Sequence, residues 1–357
     1  MGVALGIADR LWMNKHEGEG EDLEDNVIHQ TTTNYHSPEP ALVFLIFLPA
    51  LIFESAFNSD WYTFKRQFVK ILLMAGPMLI FSTFATALVM YYVLGFTSDS
   101  NNMSWISCVL FGAIISATDP VAVVSLLKEL GVTKRISTLI EGESLLNDGT
   151  ALVLFLVLIE LTEGEDMTVL AMLGKFCKMS LLGPLLGLIF GVIMAFILSR
   201  IHNQPILEAN LTVCVPYILF YIAEHHDVHI SGILALVAMG LYMTNRGRTR
   251  ISTESEEAIH SIWSYIGFVA ETLIFLLTGI VLGGEFIASD SLEAIWFLQL
   301  LGLYVFLHLI RFIGLMMLMP CMRLTGYSFT VRQVVLLAYS GLRGAVGLCL
   351  ALMVKFN

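Results

Sequence analysis

Long apolar runs separated by short polar connections dominate the sequence. A bilayer core of about 30 Å is crossed by about 20 apolar residues in a helix, and ten runs reach or approach that length. Runs of this kind are typical of transmembrane helices, so the pattern predicts an all-α polytopic membrane protein. The predicted spans are residues 41–57, 68–94, 105–127, 137–161, 179–199, 206–224, 230–244, 260–284, 294–319 and 333–354.

The composition favours a membrane protein and excludes a water-soluble one. Hydrophobic residues make up 57% of the chain and charged residues 14%, whereas about 25% of the residues in a soluble domain are charged. The net charge is −11, and many acids lie in the stretch 9–40, which we predict to be an extracellular loop. Lys and Arg are few and dispersed, so no nucleic-acid surface is expected.

The two ends of the chain suggest a fold that is incomplete at both ends. Residues 1–8 are apolar without a charged leader, as expected for the end of a preceding helix rather than a signal peptide. The last predicted span stops directly before the final residues, 355–357. We therefore expect a truncated arrangement of helices.

Basic residues predict the orientation of the spans, because the connections on the cytosolic side carry an excess of Lys and Arg. With residues 9–40 outside, the outer connections between spans carry only Lys175 and Lys178. The inner connections carry Lys65, Arg66, Lys70, Lys128, Lys134, Arg135, Arg200, Arg246, Arg248, Arg250, Arg323 and Arg332. The alternation supports both the span count and the direction.

Ionisable residues also fall inside the predicted spans, where they are costly and usually mark an ion pathway or a counter-charge. Glu54 lies near the inner end of its span, so it could instead be a snorkelling end residue. Glu271 could be a second stabilising acid or a group lining a conduit. The full set is Glu54, Asp119, Glu143, Asp148, Glu271, Arg311 and Arg343.

A proline predicts that one span is broken. Pro120 lacks an N–H, and its ring clashes with the carbonyl of Ser116, so the helix should end there. Irregular backbone at membrane depth is tolerated only where it is buried or lines a water-filled cavity. Asp119 would then lie beside freed carbonyls and a helix end, which is a suitable cation site. The alternative is a simple proline kink with a hydrogen-bonded aspartate.

Polar residues follow a helical spacing in the next span, which reads Glu141-Gly-Glu-Ser-Leu-Leu-Asn-Asp148. Glu143 and Asn147 are four residues apart, as are Ser144 and Asp148, so they form two adjacent stripes on one helix. Burial favours the neutral form of Asp148, and a carboxylate in that position can exchange a proton for a small cation. A helix-capping role would explain Glu141 but not Asp148.

A second break is predicted in the last span, at Ser340-Gly-Leu-Arg-Gly-Ala-Val-Gly347. Broken helices in the two halves of a transporter indicate a site near the bilayer midplane, and the alternative is a glycine-rich packing face. Arg311 keeps its proton, so it can act only as a counter-charge. We predict Glu143 as its partner, because a buried Arg needs a carboxylate.

Five motifs resemble those of the sodium/proton exchangers of the cation:proton antiporter family, and they occur in that family's order. They are Phe47-Leu-Pro-Ala-Leu-Ile-Phe-Glu54, Ser116-Ala-Thr-Asp-Pro-Val-Ala-Val123, Glu141-Gly-Glu-Ser-Leu-Leu-Asn-Asp148, Ala270-Glu-Thr-Leu-Ile-Phe275 and Gly341-Leu-Arg-Gly344. Within the family, the chain looks nearest to the sperm-type and the plant plasma-membrane salt-tolerance exchangers.

The resemblance implies an inverted-repeat fold of thirteen helices, in which a dimerisation domain flanks a mobile core crossed by two discontinuous helices. The ten spans would be the third to the twelfth. It also implies that Asp148 carries the ion with help from Asp119 and Asn147, and that Asn147 before Asp148 marks one-for-one, electroneutral exchange. We therefore expect Na⁺ at Asp148 and Asp119, with Thr118 and Ser144 completing the site and Arg343 joining the charge network of Glu143 and Arg311.

We accordingly predict a secondary antiporter that exchanges Na⁺ for H⁺ by alternating access. We expect a homodimer in the plasma membrane, or in the flagellar membrane if it is of the sperm type. No cofactor is expected, and Li⁺ or K⁺ could replace Na⁺. The alternatives are a K⁺(Na⁺)/H⁺ exchanger of the same fold, a transport-inactive fragment, a cation channel or inert scaffold, and an intramembrane hydrolase. The predicted units are 1–40 (helix end and acidic loop), 41–94 (dimerisation or scaffold), 105–161 (first half of the core), 179–284 (scaffold and linking helices with part of the second repeat) and 294–354 (second half of the core, truncated).

Overall fold

The computed structural model describes residues 40–93, 103–162, 168–201, 204–225, 230–288, 294–324 and 330–356. Within these ranges every regular element is helical, which confirms the predicted fold class. The predicted acidic loop and preceding helix end, in residues 1–39, lie outside the described residues.

The helices are numbered here in chain order. They are α1 Pro40–Asn58, α2 Trp61–Val93, α3 Trp105–Ser116, α4 Val121–Glu129, α5 Lys134–Thr162, α6 Val169–Leu198, α7 Pro205–Glu224, α8 Gly232–Tyr242, α9 Thr253–Ala288, α10 Ala294–Leu324, α11 Val331–Tyr339 and α12 Ala345–Phe356. Helix α2 contains two π-helical segments, Met74–Met78 and Val89–Val93, and the first of them includes Pro77.

Each of the ten predicted spans coincides with one helix or with a broken pair. By length and composition, six of the described helices can cross a membrane, and three shorter helices are also apolar, so the chain is a multi-pass membrane protein. Hydropathy locates only the apolar part of a helix. For this reason α2 begins earlier than predicted, at Trp61, where the Asp60 carboxylate accepts a hydrogen bond from the Tyr62 N–H at 3.1 Å. Likewise α5 begins at Lys134, so Glu141 lies inside the helix and does not cap it.

Both predicted breaks are present. Helix α3 ends at Ser116, four non-helical residues follow, and Pro120 precedes the first residue of α4. Helix α11 ends at Tyr339, and the chain becomes helical again only at Ala345. The first break is longer than a proline kink, so that alternative is wrong. The second segment is a true break in the helix, and its glycines also make close packing contacts.

The helices pack in two sets around the breaks. Helix α1 packs against α8 and α9, and α6 packs against α7 and α8. Helix α2 packs against α3, α5 and α10, and α10 also contacts α11. Helix α12 contacts members of both sets, namely α1 and α9 on one side and α3 and α5 on the other. The breaks therefore lie where the two sets meet.

The contact between α6 and α8 is especially close. A Cβ atom built on Gly187 of α6 would lie 2.0 Å from the backbone oxygen of Ala235 in α8. Gly183 and Gly191, one turn to each side, also face α8, at Ser231 and Tyr242. Only a residue without a side chain allows the two backbones to approach this closely.

Candidate ion-binding site

A cavity of about 380 Å³ lies between the two sets of helices, beside the break that contains Asp119. One wall comes from α1 and α9 and carries Glu54 and Glu271. The facing wall comes from α4, α5 and α12 and carries Asp119 and Asp148. Carboxylates therefore line both walls, an arrangement that attracts cations.

Side chains of α5 hold the first break in place. The Ser144 hydroxyl donates to the Thr118 carbonyl at 2.5 Å. The Asn147 amide donates to the Ser116 carbonyl at 3.0 Å and to the Thr118 hydroxyl oxygen at 3.1 Å. Three of the predicted site residues, Thr118, Ser144 and Asn147, are thus in direct contact. They supply the partners that a non-helical backbone lacks, and Asn147 uses both amide hydrogens for this purpose.

The Asp119 carboxylate joins the two broken helices. One oxygen accepts a hydrogen bond from the N–H of Val121 at 3.0 Å, and the carboxylate also accepts one from the N–H of Ala345. These are the first residues of α4 and α12, so the carboxylate lies at two helix N-termini, where negative charge is favoured. Gly344 makes this approach possible, because a Cβ atom there would lie 1.9 Å from the Cβ of Asp119.

Asp148 is buried in the wall of the same cavity and is 8% exposed. Among the described residues, no hydrogen-bond donor reaches its carboxylate, which interacts electrostatically with Asp119. A buried carboxylate without a donor, beside a second carboxylate, requires a proton or a cation to offset its charge. The geometry therefore allows Asp148 to bind either a proton or a small cation.

Glu143 and Arg311 form a buried ion pair. A terminal guanidinium nitrogen of Arg311 lies 2.9 Å from one oxygen of Glu143 and 3.1 Å from the other. The Arg311 Nε donates to the carbonyl of Leu337, near the end of α11, at 3.1 Å. The pair therefore ties α5 and α10 to the second broken helix, with the partner that the sequence predicts.

Arg343 lies in the second break and interacts electrostatically with both members of this pair, without a direct bond to either among the described residues. Its guanidinium donates to the carbonyl of Gly341 at 3.3 Å, and within the described ranges it forms no ion pair. It interacts with Glu143 only at longer range.

Glu54 and Glu271 lie on the wall opposite Asp148. Glu54 accepts a hydrogen bond from the Asn58 amide at 2.7 Å, one helical turn away. It packs over Gly267 of α9, where a Cβ atom would lie 3.2 Å from its Cγ. Glu54 therefore contacts the protein wall of the cavity and is not a snorkelling end residue. Glu271 lines the cavity from α9.

The cavity adjoins a second one, of about 450 Å³, on the side of the basic connections. This second cavity, called the vestibule, is lined by residues of the connections, among them Asp60, Lys134 and Arg248. Lys134 lies 2.8 Å from Asp60, and this contact holds the pKa of the Asp60 carboxyl below its usual range. The central cavity therefore adjoins the side of the basic connections, which the distribution of Lys and Arg predicts to be cytosolic.

Sequence reasoning missed Thr150, whose hydroxyl donates to the carbonyl of Ala75 at 2.8 Å. That carbonyl belongs to the π-helical segment beside Pro77 in α2, so Thr150 links α5 to an irregular turn. Its spacing could have indicated it, because Thr150 lies one turn after Asn147. Glu208 was also missed: its buried carboxylate accepts hydrogen bonds from the backbone and hydroxyl of Ser252, directly before α9.

Comparisons with known proteins agree with this arrangement. A family model described as "Sodium/hydrogen exchanger, transmembrane" matches residues 3–356. The chain is 35% identical over 319 residues to sodium/hydrogen exchanger 7 of Arabidopsis thaliana, covering 89% of this chain and 27% of that protein. It is 31% identical over 319 residues to the low-affinity Na⁺/H⁺ antiporter NhaS1 of Synechocystis sp., covering 88% and 58%. The chain thus spans from about a quarter to just over half of the length of these two relatives.

The chain matches a larger share of two further proteins. The chain is 30% identical over 308 residues to the Na⁺/H⁺ antiporter NhaP of Pseudomonas aeruginosa, covering 86% of this chain and 71% of that protein. The solved structure of the sodium proton antiporter MjNhaP1 from Methanocaldococcus jannaschii superimposes with a TM-score of 0.68 at 20% identity, over 87% of this chain and 71% of that chain. The structural likeness confirms the predicted antiporter fold.

Proposed function

Because this chain belongs to the sodium/hydrogen exchanger family, we propose that it is the transport unit of an antiporter that exchanges Na⁺ for H⁺. The members of this family are transporters and not enzymes. The names of the bacterial and plant relatives support Na⁺ and H⁺ as the substrates. The observation that carries the proposal is the position of Asp148, buried in a cation-attracting cavity without a hydrogen-bond donor among the described residues.

In the proposed mechanism, Asp148 binds either a proton or a sodium ion, and the two exclude each other. Asp119, fixed at two helix ends, contributes a second negative charge to the cation. Thr118 and Ser144 hold the broken backbone near it, and Asn147 adds no titratable group because an amide does not ionise in this pH range. One carboxylate that exchanges one proton for one Na⁺ makes the cycle electroneutral.

We further propose that α2–α5 and α10–α12 move as a core against a scaffold of α1 and α6–α9. The packing supports this division, since α2 contacts α3, α5 and α10. It differs from the sequence-based division, which grouped α2 with α1 in the unit 41–94. The cavity lies on the boundary between the two sets, so relative movement would close it toward one side and open it toward the other.

The plasma-membrane location, the sperm-type subgroup and the homodimer are also proposals, and they rest on the family resemblance. Li⁺ and K⁺ are the alternative substrates, because a carboxylate, an amide and a few carbonyls do not by themselves select one cation by its ionic radius. Ion selectivity is therefore part of the test.

A flux measurement on the full-length protein in proteoliposomes tests this function. A pH-sensitive dye inside the vesicles reports proton movement when Na⁺, Li⁺ or K⁺ is added outside. We expect Na⁺ to drive proton movement at a rate that does not change with an imposed membrane potential. Absence of any cation-dependent proton flux would contradict antiport, and a rate that follows the potential would contradict electroneutrality.

A further inference from the structure

The central cavity and the vestibule share four lining residues, which we call the junction: Asn58, Ser59, Lys128 and Glu141. Asn58 is the last residue of α1, in the scaffold set, and Ser59 follows it directly. Lys128 and Glu141 come from α4 and α5, in the core set. The junction is therefore the shared boundary that an ion moving from the vestibule to Asp148 would cross.

The core side of the junction is electrically balanced. Lys128 is the one basic residue among the described residues that line the central cavity, and a positive charge there would oppose an approaching cation. Its ammonium group lies 2.9 Å from a carboxylate oxygen of Glu141. Because these two charges offset each other, the core side has little net effect on a passing cation. The polar groups that can act on the cation are then those of Asn58 and Ser59, on the scaffold side.

Asn58 is held in one orientation on the scaffold side. Its amide nitrogen donates to Glu54 at 2.7 Å, and a flipped amide would direct its oxygen at the carboxylate instead. The last turn of α1 is itself fixed, because the Thr244 hydroxyl and the Arg248 guanidinium both donate to the Phe57 carbonyl, at 2.7 Å and 2.9 Å. The backbone beside Asn58 and its amide nitrogen are therefore both held in place.

The other end of this amide is unsatisfied. The Oδ1 atom of Asn58 is buried and accepts no hydrogen bond from the described residues. A buried acceptor without a partner is costly, and such atoms in native structures call for an explanation. Here the atom belongs to a residue that lines both cavities, next to a carboxylate.

We propose that Asn58 is a positioning residue for cation passage: its amide nitrogen directs Glu54 into the central cavity, and its carbonyl oxygen is a neutral ligand for Na⁺ crossing the junction. This inference rests on the proposed exchange function and adds a residue outside the Asp148 site. It accounts for the hydrogen bond to Glu54 and for the unsatisfied oxygen together.

The test compares amide removal at two asparagines in the full-length protein in proteoliposomes, with Na⁺ supplied on the side of the basic connections. Asn58→Ala should raise the apparent KM for Na⁺ about three- to tenfold, the loss expected for one typical hydrogen bond, while the maximal rate is retained. Asn58→Gln, which keeps the amide on a longer stem, should restore part of the affinity. Asn245→Ala is the matched control, because Asn245 lines the vestibule but not the central cavity; it should keep the wild-type KM.

A binding measurement separates positioning from a structural role. Na⁺ raises the melting temperature of a protein that binds it only when folded, so the Na⁺-induced shift should be smaller in Asn58→Ala than in the wild type. In a Glu54→Gln background, Asn58→Ala should have a smaller further effect, since part of its action passes through Glu54. A wild-type KM and a wild-type Na⁺-induced shift in Asn58→Ala would overturn the proposal. So would a loss of maximal rate and of melting temperature that is independent of Na⁺. If the wild-type protein itself shows no Na⁺-dependent proton flux, the exchange function fails, and this inference fails with it.

Discussion

The backbone N–H of Asp119 donates a hydrogen bond to the carbonyl of Leu342 at 2.8 Å. These two residues lie in the two helix breaks, one in each half of the chain. The bond joins the breaks directly, and the Asp119 carboxylate reinforces it by accepting from the N–H groups of Val121 and Ala345. Asp119 is therefore as much a structural link between α4 and α12 as a charge in the cavity.

Gly344→Ala should disrupt this link. The added Cβ would lie 1.9 Å from the Cβ of Asp119 and 2.5 Å from a carboxylate oxygen, so the two breaks must separate. We expect Na⁺-dependent proton flux in proteoliposomes to fall to background, because Asp119 can no longer occupy its place beside Asp148. Gly76→Ala, where a Cβ meets nothing within 4 Å, is the control. Normal flux in Gly344→Ala would show that the close approach at the crossing is not needed.

Gly187→Ala tests the contact between α6 and α8. A Cβ there would lie 2.0 Å from the Ala235 backbone oxygen, so the two helices must move apart, at a cost of about 1–3 kcal/mol or more. Gly174→Ala on the same helix meets nothing within 4 Å and should be neutral or slightly stabilising, since Ala favours a helix. Melting temperatures in detergent compare the two variants. Equal melting temperatures would contradict the close packing of α6 on α8.

Much of the fold could be predicted from the sequence because the bilayer imposes simple rules. Length and apolarity locate the spans, and Pro120 locates a break. The direction that Lys and Arg indicate stays a prediction. The helix ends were less predictable, since α2 and α5 continue into polar residues that a hydropathy pattern does not count. The close approach at Gly187 depends on which face of α6 meets α8, and that is a property of the tertiary packing.

The candidate site was predictable for residues whose chemistry is out of place in a membrane. Asp119, Asp148, Glu143 and Arg311 are conspicuous for this reason, and the pairing of Arg311 with Glu143 followed from the need of a buried cation for a carboxylate. Thr150 was not conspicuous, because a threonine is ordinary in a transmembrane helix. The position of Arg343 depended on the local path of a non-helical segment, which sequence spacing does not specify.

Removing one member of the Glu143–Arg311 pair should destabilise the fold. Arg311→Ala leaves a buried carboxylate unpaired, and such a loss costs about 3–5 kcal/mol. Replacing both residues with apolar ones, as in Glu143→Leu with Arg311→Met, should recover much of that stability, because no uncompensated charge remains. Melting temperatures of the two single variants and the double variant form the test. A double variant no more stable than Arg311→Ala would argue against a pairwise interaction.

Substitution of Asp148 should separate folding from transport. Asp148→Asn keeps the size of the side chain but removes the titratable charge, so no group remains to exchange a proton for a cation. We expect the full-length variant to reach the membrane with near-normal melting temperature and to show no Na⁺-dependent proton flux. Asp148→Glu keeps a carboxylate on a longer stem and should retain some exchange with altered Na⁺ affinity. Wild-type flux in Asp148→Asn would remove this residue from the mechanism.

The central claim is that a proton and a sodium ion compete for one carboxylate. It is tested by the dependence of the apparent Na⁺ affinity on the pH at the side of the basic connections. The measurement is the apparent KM for Na⁺ of the wild-type protein in proteoliposomes over roughly pH 6 to 8. Where the proton occupies Asp148, each unit fall in pH should weaken the affinity about tenfold, because one proton excludes one ion at about 1.36 kcal/mol per unit. An affinity that stays constant across this range would contradict competition at Asp148.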